Sequence, residues 1–324
     1  MKRGCIVLAI ALAAGWLAAA DTGAVRRVWV WSDAHVGLND PASDGRDGAE
    51  WLARAAADLR QGAGPVAWML SLGDICHSSQ PEQFAAFGAF RRRAGIEPWF
   101  AVAGNHDYTA TRTNLWREFV GQPRRFLLRD GNGVWICFGV ERGGAGGRIA
   151  ASTLSWLRGA IAASQGGNVI VCSHQAPGHT VARSDRGKNI VYCPMDGDPE
   201  PEGEGENKEE ASPAAVQRVE RLLDDLRVDL WLCGHIHSGA RKPEAVARRG
   251  RTTAINVASI SHAYKTGASR SYVLEFREGS RTVEARCRHH DEGRFDPAFS
   301  TTVEFPHPWR FTGPPKMEAK PGAE

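Results

Sequence analysis

The chain has 324 residues, enough for one large α/β domain or two small ones. Hydrophobic residues make up 42% and charged residues 24%, which excludes a wholly disordered or collagen-like chain. Forty Lys and Arg against 37 Asp and Glu give a net charge of +3, too small for charge alone to argue for nucleic-acid binding.

The first element reads as a targeting segment. Lys2 and Arg3 precede an apolar run from Cys5 to Ala20 that ends in three alanines before Asp21. A basic start, a short apolar run and small residues at its end are the marks of a secretory signal. The run is shorter than the roughly 20 residues that span a bilayer. Residues 1–20 are therefore expected to be a signal peptide cleaved near Ala20/Asp21, with the mature protein secreted or periplasmic. No later stretch is apolar enough to span a membrane.

After it, one pattern repeats: apolar run, polar loop, helix. The runs are Val28–Trp31, Val66–Leu72, Pro98–Ala103, Val134–Gly139, Val169–Cys172 and Val228–Cys233. They are apolar on both faces and hold Trp29, Trp31, Trp68, Trp99, Trp135 and Trp231, which predicts strands covered on both sides. Between them, Glu50–Arg60 and Pro81–Arg93 are expected helices. Ser152 is expected to cap a third, carrying Leu154, Leu157 and Ile161, and Ser212-Pro213 to open a fourth, carrying Val216, Val219, Leu223 and Leu226. Beyond Gly234 come expected strands Thr252–Ala258, Ser271–Arg277 and Thr282–Arg288. Asp196–Glu210 is acidic and Gly/Pro-rich, hence a solvated loop, and Gly313–Glu324 is expected to be a disordered tail. The catalytic domain would occupy 21–312. Six cysteines remain after the signal; Cys137, Cys172 and Cys233 read as packing residues, while Cys76 and Cys193 are the pair to test for a disulfide.

Five of the runs end in polar residues able to bind a metal. They give Asp33-Ala34-His35, Gly73-Asp74, Gly104-Asn105-His106-Asp107, His174 and Gly234-His235-Ile236-His237. In an α/β sheet, ligands bind outside the carboxyl ends of the strands, so these residues can converge although far apart in sequence. Asp33/His35 and His235/His237 are i, i+2 pairs, which share a side in extended backbone. Any one of these motifs is an ordinary turn or surface pair. Five in order, each at the end of an apolar run, point to one site.

This ordered set resembles the calcineurin-like metallophosphoesterase superfamily, whose signature is D-x-H, G-D, G-N-H-D/E, H and G-H-x-H. The resemblance implies a four-layered α/β/β/α sandwich of two mixed sheets flanked by helices, holding two transition-metal ions. It assigns Asp33, His35, Asp74 and His237 to one ion and Asp74, Asn105, His174 and His235 to the other, with Asp74 bridging. His106 would face the substrate as a general acid, and Asp107 would orient its ring. Carboxylate, amide and imidazole donors suit Mn, Fe, Zn or Co. The implied activity is hydrolysis of a small phosphomonoester or phosphodiester by a metal-bridging hydroxide. Phospholipid headgroups and nucleoside polyphosphates are alternative substrates. Purple acid phosphatases of the same superfamily carry D-x-G and a tyrosine three residues after the bridging aspartate, where His35 and His77 stand here. A non-catalytic binding member of the fold would show eroded ligands, and none is eroded. No nucleic-acid partner is expected. His77 and His262 could line the pocket or be surface histidines, His289-His290 reads as a strand-end surface pair, and Gln175–Asn207 could overhang the site.

Overall fold

The computed structural model describes residues 23–38, 45–107, 115–139, 147–181, 190–193, 213–237, 245–262 and 267–318. The expected signal peptide, the acidic segment 196–210, most of the expected overhang and the Ser212 cap lie outside them.

The chain alternates strand and helix: β1 (Val25–Trp31), α1 (Gly48–Gly62), β2 (Trp68–Ser71), α2 (Pro81–Ala94) and β3 (Trp99–Ala101). A π-helical turn at Trp116–Val120 leads to the hairpin β4 (Arg125–Asp130) and β5 (Gly133–Phe138), then β6 (Gly147–Ala150), α3 (Ala151–Ala163), β7 (Asn168–Ser173) and β8 (Ile190–Cys193). The remainder is α4 (Pro213–Asp225), β9 (Leu230–Cys233), β10 (Val246–Arg249), β11 (Thr252–Asn256), β12 (Arg270–Arg277), β13 (Thr282–His289), β14 (Arg294–Glu304) and β15 (Lys316–Glu318). One sheet has the order β14-β13-β12-β1-β2-β3 and the other β10-β11-β9-β7-β5-β4-β15; β6 and β8 form a separate pair. Strands β1, β2 and β3 run parallel, as do β5, β7, β9 and β11.

Side-chain alternation builds the layers. Val28 and Val30 of β1, with Leu230 and Leu232 of β9, enter the core between the two sheets. Trp29 and Trp31 face α1 and α2, while Trp231 and Cys233 face α3 and α4. The result is the expected helix–sheet–sheet–helix sandwich. Its central strands read as continuous apolar runs because both faces are covered.

Local chemistry sets the helix ends. Asp47 caps α1 by accepting from the Ala49 N–H at 2.7 Å. Pro81 opens α2, whose stripe of Phe84, Phe87 and Phe90 is buried, and left-handed Gly95 closes it after Arg91-Arg92-Arg93. Helix α3 starts two residues earlier than a Ser152 cap would require: Ala150 precedes it and Ser152 lies in its first turn. Part of the expected disordered tail is ordered, because Lys316–Glu318 adds an antiparallel edge strand to β4 and Arg129 pairs with Glu318 at 2.9 Å; residues 319–324 lie outside the described residues. Among the described residues, no helix is long and apolar enough to cross a membrane.

His289 and His290 are buried, not a surface pair. Trp29 Nε1 donates to Ser271 Oγ (2.8 Å), Ser271 Oγ faces His290 Nε2 (2.7 Å), and His290 Nδ1 donates to Asp58 on α1 (2.8 Å). Arg288 adds two bonds to the same carboxylate, at 2.8 and 2.6 Å. The Ser-His-Asp order mimics a nucleophilic triad, but Ser271 is fully buried and its oxygen accepts from Trp29, so the chain pins α1 to the sheet. Burial alone would raise the Asp58 carboxyl, yet Arg288 and His290 hold it at about 2 against the usual 3.8. A depressed carboxyl contributes stability above its unfolded value and loses it as pH falls through the folded one. Asp58→Asn is expected to cost about 1 kcal/mol at pH 7, less than the full shift because solvent screens this partly buried carboxylate. In urea denaturation, the gap to wild type should close between about pH 4 and pH 2. A gap that does not change with pH contradicts the pairing.

Candidate metal centre

Five strand ends meet at one edge of the sandwich. The loop after β1 is bonded to the loop after β2 through Asp33 N to Gly73 O (3.0 Å), His35 N to Asp74 O (3.0 Å) and Val36 N to Ile75 O (2.8 Å). Gly234 N donates to His174 O at 2.8 Å, joining the loops after β7 and β9. The spacing is so close that a Cβ on Gly104 would lie 2.2 Å from Asp74 Oδ1, and one on Gly234 would lie 1.8 Å from Ser32 Oγ.

Backbone conformation at the ligands differs from the extended reading. Asp33, His35, Asp74, His235 and His237 all have left-handed φ, between 49° and 65°. The i, i+2 pairs do converge, but through tight left-handed turns rather than strand alternation. Such a residue costs about 1–3 kcal/mol and persists only where its surroundings enforce it.

Two of the resulting clusters share Asp74. Asp33, His35, Asp74 and His237 form one and Asp74, His174 and His235 the other, with the ligand atoms in each within 4.8 Å of one another. Asp74 belongs to both. Its Oδ2 is 3.1 Å from His174 Nε2 and 3.8 Å from His35 Nε2, and its Oδ1 accepts the His106 N–H at 2.9 Å. Asp33 lies 3.0 Å from His237 Nε2 through Oδ1 and accepts the His235 N–H at 3.0 Å through Oδ2. Asn105 lies in the turn after β3, where Gln175, the neighbour of His174, donates to its Oδ1 at 3.2 Å.

The donor chemistry fits cations. His35 Nε2 and His237 Nε2 approach to 3.2 Å beside two buried carboxylates. His174 donates Nδ1–H to the Leu72 carbonyl at 2.8 Å, which turns its Nε2 toward Asp74. Without a metal, protons must do the neutralising. Burial disfavours a charged His174, but Asp74 raises it to about 9; burial likewise favours neutral Asp33, but His237 takes that carboxyl down to about 2. Burial holds His35 well below its usual value, as a neutral imidazole. Metal ions would replace those protons.

His106 and Asp107 diverge. His106 donates Nδ1–H to the His77 carbonyl at 2.6 Å, its ring stands edge-on to His35 at 4.8 Å, and it stacks on His77 at 5.3 Å. His77 thus belongs to the site's histidine cluster with His35 and His106. Asp107 does not orient that ring. Its carboxylate accepts the N–H groups of Cys76 and Gly104, each at 2.9 Å, and locks the turn from inside. Burial and the Asp74 charge push it up to about 7. His262 stacks on Trp51 at 4.1 Å and pairs with Asp291. Cys76 and Cys233 are buried free thiols whose ionisation burial opposes; the Cys193 side chain, the other half of the pair to test, lies outside the described residues.

Residues 26–239 match the model of the calcineurin-like phosphoesterase family, two thirds of the chain. The chain belongs to this family. No curated sequence matches it. The calcineurin-like architecture is shared with a dimetal phosphatase from Danio rerio, at 12% identity and TM-score 0.57, over 86% of this chain and 99% of that one. Purple acid phosphatase PPD1 from yellow lupin (Lupinus luteus) seeds aligns at 12% identity and TM-score 0.55, over 88% of this chain but 54% of its own. GAP50, the anchor in the inner membrane complex of Plasmodium, aligns at 11% identity and TM-score 0.55, over 87% and 89%. At such identities the likeness is one of fold. The family match ends two residues after His237 and leaves β10 to β15 unaccounted for.

Proposed function

We propose that this family member is an exported, dinuclear-metal hydrolase of phosphomonoesters or phosphodiesters. The observation that carries the reading is the pair of ligand clusters converging on one carboxylate, Asp74. Asp33, His35, Asp74 and His237 would hold one ion, and Asp74, Asn105, His174 and His235 the other. When bound, two such ions supply Lewis-acid activation of water and neutralise phosphoryl charge.

The chain's own groups do the rest. Neutral His35 presents a lone pair at no cost of deprotonation. Asp74 and Asp33 supply the negative charge that a dication pair requires. Because the His77 carbonyl takes the Nδ1–H of His106, Nε2 is the nitrogen that can carry a proton to a leaving alkoxide. Asp107 contributes by holding the Gly104–Asp107 turn in shape, which places Asn105 and His106.

The purified protein should hydrolyse p-nitrophenyl phosphate or bis-p-nitrophenyl phosphate only with added Mn, Fe, Zn or Co, and lose that activity to a chelator. Pyrophosphate and a phospholipid headgroup ester complete the panel. Inactivity on every ester with all four metals, or chelator-resistant hydrolysis, contradicts the proposal. Export rests on Lys2, Arg3 and the Cys5–Ala20 run. Intact-mass measurement of exported protein should give a chain starting at or near Asp21, and a retained Met1 contradicts it.

A further inference from the structure

The turn after β11 holds the first metal site from behind. Three groups of this turn bond the loop that carries Asp33 and His35. Ile260 N donates to Ser32 O at 3.0 Å. The hydroxyls of Ser259 and Ser261 both reach the Asp33 carbonyl, at 2.9 and 3.0 Å. Two groups bond the loop that carries His235 and His237: Val257 N donates to Cys233 O at 2.7 Å, and Asn256 Nδ2 donates to Gly234 O. Asn256, Ser259 and Ser261 are all buried, and the turn itself passes through a left-handed Ala258 (φ 67°). Of the groups peculiar to the second site, the turn meets the loop that carries His235, while among the described residues no hydrogen bond joins Ser259 or Ser261 to Asn105 or His174, whose side chains meet Gln175 and Leu72.

We propose that Ser259 and Ser261 are positioning residues for the first ion, acting through Asp33. Asp33 has φ 57°, a conformation a non-glycine residue keeps only when its flanking peptide is fixed. Its carbonyl is the handle by which the turn fixes it, and its carboxylate then falls between His237 Nε2 and the His235 N–H. Each hydroxyl has one proton, and Ser259 also reaches the Ser261 carbonyl at 2.8 Å. Either serine alone can therefore supply the Asp33 carbonyl with a donor. Replacing both leaves it with none from this turn. The two serines lie beyond the stretch that matches the family, so that match does not assign them.

The inference rests on the dinuclear reading, and the test separates the two. Metal-free protein is titrated with zinc against a chromogenic chelator, for wild type, Ser259→Ala, Ser261→Ala and the double variant. The phase missing from His174→Asn marks the second site. Loss of groups that orient a ligand typically weakens metal binding about 10–100-fold. The double variant should weaken the first-site phase by that factor, leave the second-site phase unchanged, and keep the metal-free melting temperature within a few degrees of wild type. Because both hydroxyls contact the Asp33 carbonyl, each single variant should shift the first phase severalfold, less than half the double effect on a logarithmic scale. If the double variant does not fold, a severalfold shift confined to the first phase in Ser261→Ala still supports the proposal, and no shift overturns it. Equal weakening of both phases, or wild-type zinc binding in the double variant, overturns it as well. Wild-type protein that binds no zinc overturns the dinuclear reading instead.

Discussion

Asp74→Asn should strip both metal sites and lower kcat/KM by about 10³-fold or more, the several kcal/mol that bound metal ions supply to phosphoryl chemistry. The substitution keeps the side chain's volume and leaves an amide oxygen for the His106 N–H, which Asp74 Oδ1 accepts at 2.9 Å. What it removes is the charge shared between His174 at 3.1 Å and His35 at 3.8 Å. Burial would keep His174 neutral, but Asp74 above all, helped by Asp33 and the Leu72 carbonyl, raises it to about 9, a sign of how strongly these groups favour a cation there. Elemental analysis beside steady-state kinetics checks both halves. A variant that keeps two ions, or loses one while retaining wild-type turnover, contradicts the shared role. His237→Asn, by comparison, should empty the first site alone.

His106→Asn should leave metal content near wild type and lower the rate by about 10²–10⁴, the usual contribution of a general acid. The loss should be largest for alkoxide-like leaving groups and smaller for p-nitrophenolate, which departs with little protonation. Exposure separates His106 from the ligands around it: its ring is half-buried and stacks on the half-buried His77, while His35 and His174 are wholly buried. His235→Asn should lose metal along with activity. Kinetics on esters graded by leaving-group pKa decide the matter. Equal loss on every ester, or loss of metal, removes the general-acid role.

The layered fold is legible in the sequence because its central strands are parallel and covered on both faces. Val28–Trp31 and Val228–Cys233 could hardly be anything else, and each ends in its ligand motif. The edges are less legible. Strand β14 carries Pro297 and alternates irregularly, which an edge position tolerates and a sequence pattern hides. Short β10 and β15 are polar and charged and owe their conformation to pairing with β11 and β4. At the site, residue types and order identify the ligands, but not the left-handed turns that aim them, since Asp and His carry no glycine-like signal for that conformation. Adjacency misleads at Asp107, where the turn swings the carboxylate away from His106 toward the Cys76 and Gly104 amides. His289-His290 misleads for the opposite reason: the group that covers His290 is Asp58, 232 residues away on α1. Ser259 and Ser261 are two ordinary serines until the sheet brings them under Asp33.

The central claim is a two-ion centre built on one shared carboxylate. Zinc titration of chelator-treated wild-type protein, followed by elemental analysis after desalting, tests it most directly. Saturation at two ions per chain, falling to one in His174→Asn and to none in Asp74→Asn, is the predicted result. Saturation at a single ion, or an Asp74→Asn variant that still binds two, contradicts it.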